Sequence, residues 1–251
     1  MKKLFALFCL ILSAYISMSA LQPLKNETIK YRIMYKWGMI NKQAGSATII
    51  LRDQGDRYYS QLVGHSAPWA DKFFMVRDTL NGVMDKENYR PRFYEKIAHE
   101  GDDHKHDTVR FTYEDDEVIG TCSRKVTKKG VKKPDQNLTL TSTGTTVDML
   151  SSFYFMRDLP FDKWKPGHKE KVTIFSGKQK ESLTFEYKGI EIVQIGDKRY
   201  QCFHVTFVFT GKGGKKTSDN MDAWITTGRQ RVPVQLEGKL PVGKVRCEID
   251  V

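Results

Sequence analysis

Over much of this chain the hydrophobic residues fall at every second position. Residues 199–209 show the pattern best. Phe203, Val205, Phe207 and Phe209 share one phase, and Tyr200, Cys202, His204 and Thr206 share the other. Side chains of an extended chain alternate between two faces, so this pattern predicts a strand with one buried side. The same period runs through 28–35, 44–51, 58–63, 108–113, 117–123, 138–143, 171–175, 183–187, 190–195, 223–226, 232–236 and 245–249. Val245, Cys247 and Ile249 share a face in the last of these. Turn-forming clusters separate the runs at short intervals: Asp53-Gln54-Gly55-Asp56, Glu100-Gly101-Asp102-Asp103, Ile195-Gly196-Asp197 and Pro241-Val242-Gly243. Gaps this short predict antiparallel pairing, because parallel neighbours need long crossovers.

One segment changes period. In 146–159, Val147, Leu150, Phe153, Tyr154 and Arg157 follow the i, i+3, i+4, i+7 spacing of a helix with one packed stripe. Thr145 or Thr146 is the expected cap, Asp148 falls in the first turn, and Pro160 lies just past the end. A shorter helical turn is expected at 68–74. The expected fold is therefore mostly β, of the α+β class. It is a large antiparallel sheet, with one main helix at about 146–159 laid into its concave side. Neither a linker nor a repeat divides the chain, so 21–251 reads as a single domain.

Residues 1–20 read as a signal peptide: Lys2 and Lys3, then an apolar stretch from Leu4 to Ile16, then small residues at Ser17, Ser19 and Ala20. Cys9 sits inside the apolar stretch rather than after small residues at its end, which argues against lipidation. An exported protein, not lipidated, is the expectation. Cys122, Cys202 and Cys247 remain beyond this segment. They read as packing residues, and Cys202 and Cys247 fall in phases that place them on different faces.

The formal charge of +11 is unevenly spread. Arg124, Lys125, Lys128, Lys129, Lys132 and Lys133 crowd one ten-residue stretch, and Lys212, Lys215 and Lys216 form a second group. Such clusters suit anionic head groups or a membrane surface, or else form solvated hairpin tips. Nucleic acid is not an expected partner outside the cytoplasm. His99, Asp102, Asp103, His104, His106 and Asp107 are close in sequence, but the Gly101 turn and the lack of a distant third ligand read as an exposed turn rather than a zinc site. No nucleophile, metalloprotease or nucleotide-binding motif is present, so neither catalysis nor a metal or cofactor is expected.

Asp148-Met-Leu-Ser-Ser-Phe-Tyr154, Trp164-Lys-Pro-Gly167, Tyr187-Lys-Gly-Ile-Glu191, Tyr200-x-Cys202, Trp224-Ile-Thr226, Arg231-Val-Pro-Val234 and Leu240-Pro-Val-Gly243-Lys-Val245 occur in this order. In that order and spacing the chain resembles the bacterial domain-of-unknown-function family numbered 3108. The resemblance spans nearly all of the chain beyond residue 20. Gly228 departs from the acidic turn residue expected after the Trp-x-Thr strand. The resemblance implies an exported, periplasmic envelope protein with a large curved antiparallel sheet or half-barrel, similar to that of lipoprotein localisation factors. On that footing Phe153, Tyr154, Phe203, Val205, Phe207 and Trp224 are the candidate apolar ligand-binding residues. The expected function is non-enzymatic binding or carriage of a lipid or lipoprotein-like ligand. A structural or interaction module of the envelope, or a glycan or lipid hydrolase, is the alternative.

Overall fold

The computed structural model describes residues 23–250; the proposed signal peptide lies outside the described residues. Sixteen strands follow in chain order. They are β1 (Glu27–Trp37), β2 (Ile40–Asp53), β3 (Arg57–Ser66), β4 (Val76–Asp85), β5 (Pro91–Glu100), β6 (Asp103–Glu114), β7 (Glu117–Lys128), β8 (Val131–Lys132), β9 (Gln136–Thr143), β10 (Thr146–Val147), β11 (Lys169–Phe175), β12 (Lys180–Ile195), β13 (Lys198–Thr210), β14 (Met221–Thr226), β15 (Pro233–Lys239) and β16 (Lys244–Ile249). All belong to one sheet, in which β16 at the chain's end pairs with β1 at its start. Every pairing is antiparallel except β10 with β11.

The two edges of the sheet face one another across a seam. Lys180 donates from Nζ to the Thr141 carbonyl (2.7 Å), and the Phe111 and Phe175 rings stack at 5.7 Å. Gly120 is required here. A Cβ at this position would lie 2.6 Å from the Phe175 ring, inside any real contact distance. The sheet thus wraps into a barrel-like shell closed by side chains rather than by a ladder.

The two-residue period sets which side of each strand faces inward. Phe203, Val205, Leu183, Phe185, Ala223 and Ile225 meet inside the carboxy-terminal half. Ile29, Tyr31, Ile49, Leu51 and Tyr58 meet inside the amino-terminal half. A short helix, α1 (Pro68–Asp71), joins β3 to β4, and the main helix, α2 (Ser151–Asp158), runs through the interior. Tyr154 on α2 is fully buried and stacks near Tyr89, which in turn stacks near Tyr58.

The helix is shorter than the 146–159 that its periodicity predicts. Thr146 and Val147 instead pair with Thr173 and Ile174. Asp148 then starts the helix: its Oδ1 accepts from the backbone N–H of Leu150 (2.7 Å) and Ser151 (2.8 Å). Ser151 Oγ accepts in return from the Asp148 N–H (2.9 Å), which makes a reciprocal cap with the aspartate in place of the expected threonine.

Alternating strand direction gives the shell two ends. One holds the β6–β7 turn with Glu114, Asp115, Asp116 and Glu117, and α2 plugs it. There Arg157 of α2 pairs with Glu27 at the start of β1 and donates to the carbonyls of Arg231 (Nε, 3.0 Å) and Gln230 (Nη2, 2.8 Å). The other end holds the β1–β2, β3–β4, β5–β6, β7–β8, β13–β14 and β15–β16 connections, and α2 does not reach it.

Candidate functional site

At the end away from α2 the inward face of the sheet continues without a helix to cover it. Along β1, Ile29 and Tyr31 are buried under Tyr154, while Ile33, Tyr35 and Trp37 line open space. Gly45, Gly64 and Val245 extend the same inward phase on β2, β3 and β16. Across the opening stand Trp69 and Ala70 of α1, the Phe73-Phe74 pair that follows it, and Leu240, Pro241 and Val242 of the β15–β16 hairpin. Together they enclose a cavity of about 710 Å³, within the range of small-molecule sites. Its lining is almost wholly apolar.

Three local features build this mouth. The β15–β16 hairpin folds over β1 through a left-handed Gly243 (φ 78°), where a Cβ would lie 2.4 Å from the Lys36 carbonyl. Tyr35 holds that hairpin by donating from Oη to the Val242 carbonyl (3.2 Å). On the facing wall Trp69 donates from Nε1 to the Gln43 carbonyl (2.7 Å), and Lys42 lies over its ring at 4.8 Å. Asp71 closes the turn after α1 through a bidentate pair with Arg77 and a bond from Ser66. Its carboxyl is held below the usual carboxylate range by the Arg77 and Ser66 bonds.

The apolar lining ends at Val76. Beyond it, inward positions on β4 to β7 carry a cluster of charges, Asp78, Lys96, Glu100, Lys105, Asp107 and Arg124, interspersed with apolar residues such as Ala98. Lys96 bridges Asp78 and Glu100 (both 3.4 Å), Lys105 pairs with Glu100, and Arg124 lies 3.6 Å from Asp107. Burial raises the Asp78 and Asp107 carboxyls, partly offset by Lys96 and Arg124 respectively. The interior beside the cavity is therefore apolar on one wall and ionic on the other.

The residues singled out in the sequence fall in different places. Tyr154, Phe203 and Val205 face inward as their phase predicts, but they are packed solid: Tyr154 and Val205 are fully buried and Phe203 nearly so. Phe153 and Phe207 are half-buried against the same interior clusters. None of these five lines the cavity. Trp224 lies on the outer face, opposite Phe203. It stacks on His204 at 4.7 Å and donates from Nε1 to Glu191 (2.8 Å), while His204 itself bonds Glu191 and Asp222. Its phase, one residue from Ile225, dictates this placement.

Arg124 also departs from its expected role. It faces inward and is ion-paired, because it shares register with Asp107. Lys125, Lys128, Lys129, Lys132 and Lys133 are exposed, and the last four sit at the β7–β8 tip, at the same end of the shell as the cavity mouth. His99 and His104 pack edge to face at 4.4 Å by the β5–β6 turn, and Asp107 points away from them to the interior. All three described cysteines are free. Cys122 and Cys247 face inward and Cys202 packs on the outer side with Ile195 and Val234. The strand residues of the cavity, Ile33, Tyr35, Gly45 and Val245 among them, lie in runs that the two-residue period predicts, but the residues that cover it, Trp69, Ala70, Phe73, Phe74 and Leu240 to Val242, lie between strands and escape a strand-based reading. The signal was there in apolar residues at turn positions, namely Trp37-Gly38-Met39-Ile40, Phe73-Phe74 and Leu240-Pro241-Val242.

A single sheet wrapped around a buried helix, with one plugged and one apolar open end, defines a β-barrel-like protein with an internal cavity. The chain belongs to the family described as protein of unknown function (DUF3108), whose model matches residues 30–250. Among solved structures it is similar to the β-barrel-like protein of the domain of unknown function DUF1849 from Brucella abortus. That similarity has a TM-score of 0.60 at 12% identity, over 90% of this chain and 96% of the other. At that identity the likeness is one of fold. No curated protein matches the chain.

Proposed function

We propose that the protein is a non-enzymatic binding or carrier protein of the bacterial envelope, exported to the periplasm, which holds the apolar part of a hydrophobic or amphipathic molecule. The observation that carries this reading is the apolar cavity of about 710 Å³ at the open end. A void of that size lined by aromatic and aliphatic side chains gains most by receiving an apolar chain, since each buried methylene contributes about 0.8 kcal/mol. The binding wall is Ile33, Tyr35, Trp37, Trp69, Phe74 and Val245, in place of the packed residues deeper in the shell. The adjoining ionic wall offers a polar neighbour to the head of an amphipathic ligand.

Native mass spectrometry of protein taken from its own periplasm tests the proposal. A co-purifying lipid is expected, and it should be lost in Ala70→Trp, which fills the cavity from α1 while leaving the sheet intact by circular dichroism. Protein that carries no such mass, and that shows no saturable change in Trp37 and Trp69 fluorescence with added fatty acid, would overturn it.

A further inference from the structure

Three neighbouring connections project apolar side chains beyond the cavity rim, outward from the open end. Met39 at the β1–β2 turn is fully exposed, Phe73 after α1 is 82% exposed, and Trp37, Phe74, Leu240 and Val242 are each about half exposed. Met39 gains nothing from the fold in this position, and Phe73 gains only an edge-to-face contact with Trp69 (6.4 Å) at the cavity rim. Seven of the twelve large hydrophobic residues exposed among the described residues, with Ile40 included, belong to this one rim. The strand order β15-β16-β1-β2-β3-β4 places the three connections side by side. Exposed apolar residues concentrated in this way mark an interaction surface rather than scatter.

The charge around the rim selects the partner. Lys36 and Lys42 flank the β1–β2 turn, Lys72 precedes Phe73, and Lys239 and Lys244 flank the β15–β16 hairpin. Of these, Lys244 is engaged with Glu237 and Lys42 lies over the Trp69 ring. Farther out on the same end lie the lysines of the β7–β8 tip and Lys212, Lys215 and Lys216 of the β13–β14 connection. The acidic Glu114–Glu117 turn lies at the opposite end. We infer that the open end docks peripherally on an anionic lipid bilayer. Met39, Trp37, Phe73, Phe74, Leu240 and Val242 enter the head-group and acyl boundary, while the lysines contact lipid phosphates. Aromatic and aliphatic tips ringed by lysine match that boundary, where apolar burial and attraction to anionic lipid act together. Among the described residues no helix is long and apolar enough to cross a membrane. The inference extends the carrier reading, because docking would set the cavity mouth against the bilayer, but it does not require the cavity to be filled.

Flotation of the purified protein with vesicles of phosphatidylcholine, with and without phosphatidylglycerol, tests it. Binding is expected only to the anionic vesicles. Met39→Asp with Phe73→Asp, both at exposed positions, should lower the partition coefficient at least about tenfold. Lys72→Glu and Lys239→Glu should each lower it about fivefold, and salt should weaken it further. Ala70→Trp should still float, so that failure of the carrier reading and failure of docking give different results. Absence of flotation would overturn the inference, as would flotation unaffected by the Met39 and Phe73 changes. A concentration-dependent dimer abolished by those same changes, without flotation, would assign the surface to a second copy and overturn it too.

Discussion

Tyr154 on α2 and Ser60 on β3 meet at 2.8 Å between hydroxyl oxygens, 94 residues apart in the chain and both buried. Ser60 Oγ also donates to the Ile50 carbonyl (3.1 Å), so its single hydrogen is committed and the Tyr154 hydroxyl is the donor between them. This bond fixes the helix to the wall of the shell near the plugged end, where Ser60 stands in register with Leu51 and Glu27.

The direction of that bond makes the two truncations unequal. Tyr154→Phe removes the donor and leaves Ser60 with the Ile50 carbonyl, which should cost about 1 kcal/mol. Ser60→Ala strands the buried Tyr154 hydroxyl and should cost about 2 kcal/mol. Urea midpoints of the two variants and the double variant check this. A greater loss from Tyr154→Phe than from Ser60→Ala would contradict the assigned direction.

Asp148 predicts a pH dependence. Burial lifts its carboxyl from 3.8 to about 6, against the opposing backbone bonds from Ser151 and Leu150, and its Oδ2 has no partner. The folded state therefore holds this proton more tightly than the unfolded chain. The resulting penalty is full above pH 6, shrinks as pH falls through 6, and is gone below about 3.8. Two units correspond to about 3 kcal/mol as an upper bound. Asp148→Asn keeps an oxygen to cap α2 and removes the charge. The stability of the wild-type protein relative to this variant should rise as pH is lowered from 8 to 4.5, measured by urea midpoints. A difference that stays constant across that range would show that Asp148 does not titrate in the folded state.

The sequence pattern located most of the strands because most inward positions are apolar. It missed β4 and β5, and the reason is visible in the interior. Their inward positions include Asp78, Gly82, Lys96 and Glu100, so the alternation that announces a half-buried strand is broken by the ionic wall. The two predicted runs 183–187 and 190–195 are one strand, β12, with an irregularity between Tyr187 and Gly189 that shifts the register. Arg157 was legible as part of the packed stripe of α2, although its partner Glu27 was not, since 130 residues separate them. The interior aromatics were found by phase. Whether they enclose a void depends on how far α2 extends, and that is set by β10 pairing and the Asp148 cap rather than by periodicity.

The plug at the closed end depends on Arg157, whose side chain is only 2% exposed. Its guanidinium is shared by Glu27 and the carbonyls of Arg231 and Gln230, and it lies 5.6 Å from the centre of the Tyr154 ring. Glu27→Ala leaves a buried cation with two neutral acceptors. That should cost about 3 kcal/mol, the lower end for an uncompensated buried charge, because the carbonyls remain. Arg157→Met removes the cation and leaves Glu27, whose side chain is 19% exposed and can turn to water, so its loss should be smaller. The double variant Glu27→Ala with Arg157→Met should then be more stable than Glu27→Ala alone, because the isolated charge is gone. Thermal or urea unfolding of the three proteins decides the matter. If the double variant proves less stable than Glu27→Ala, the guanidinium contributes packing and carbonyl bonds that outweigh its burial, and the carboxylate is not what holds it in place.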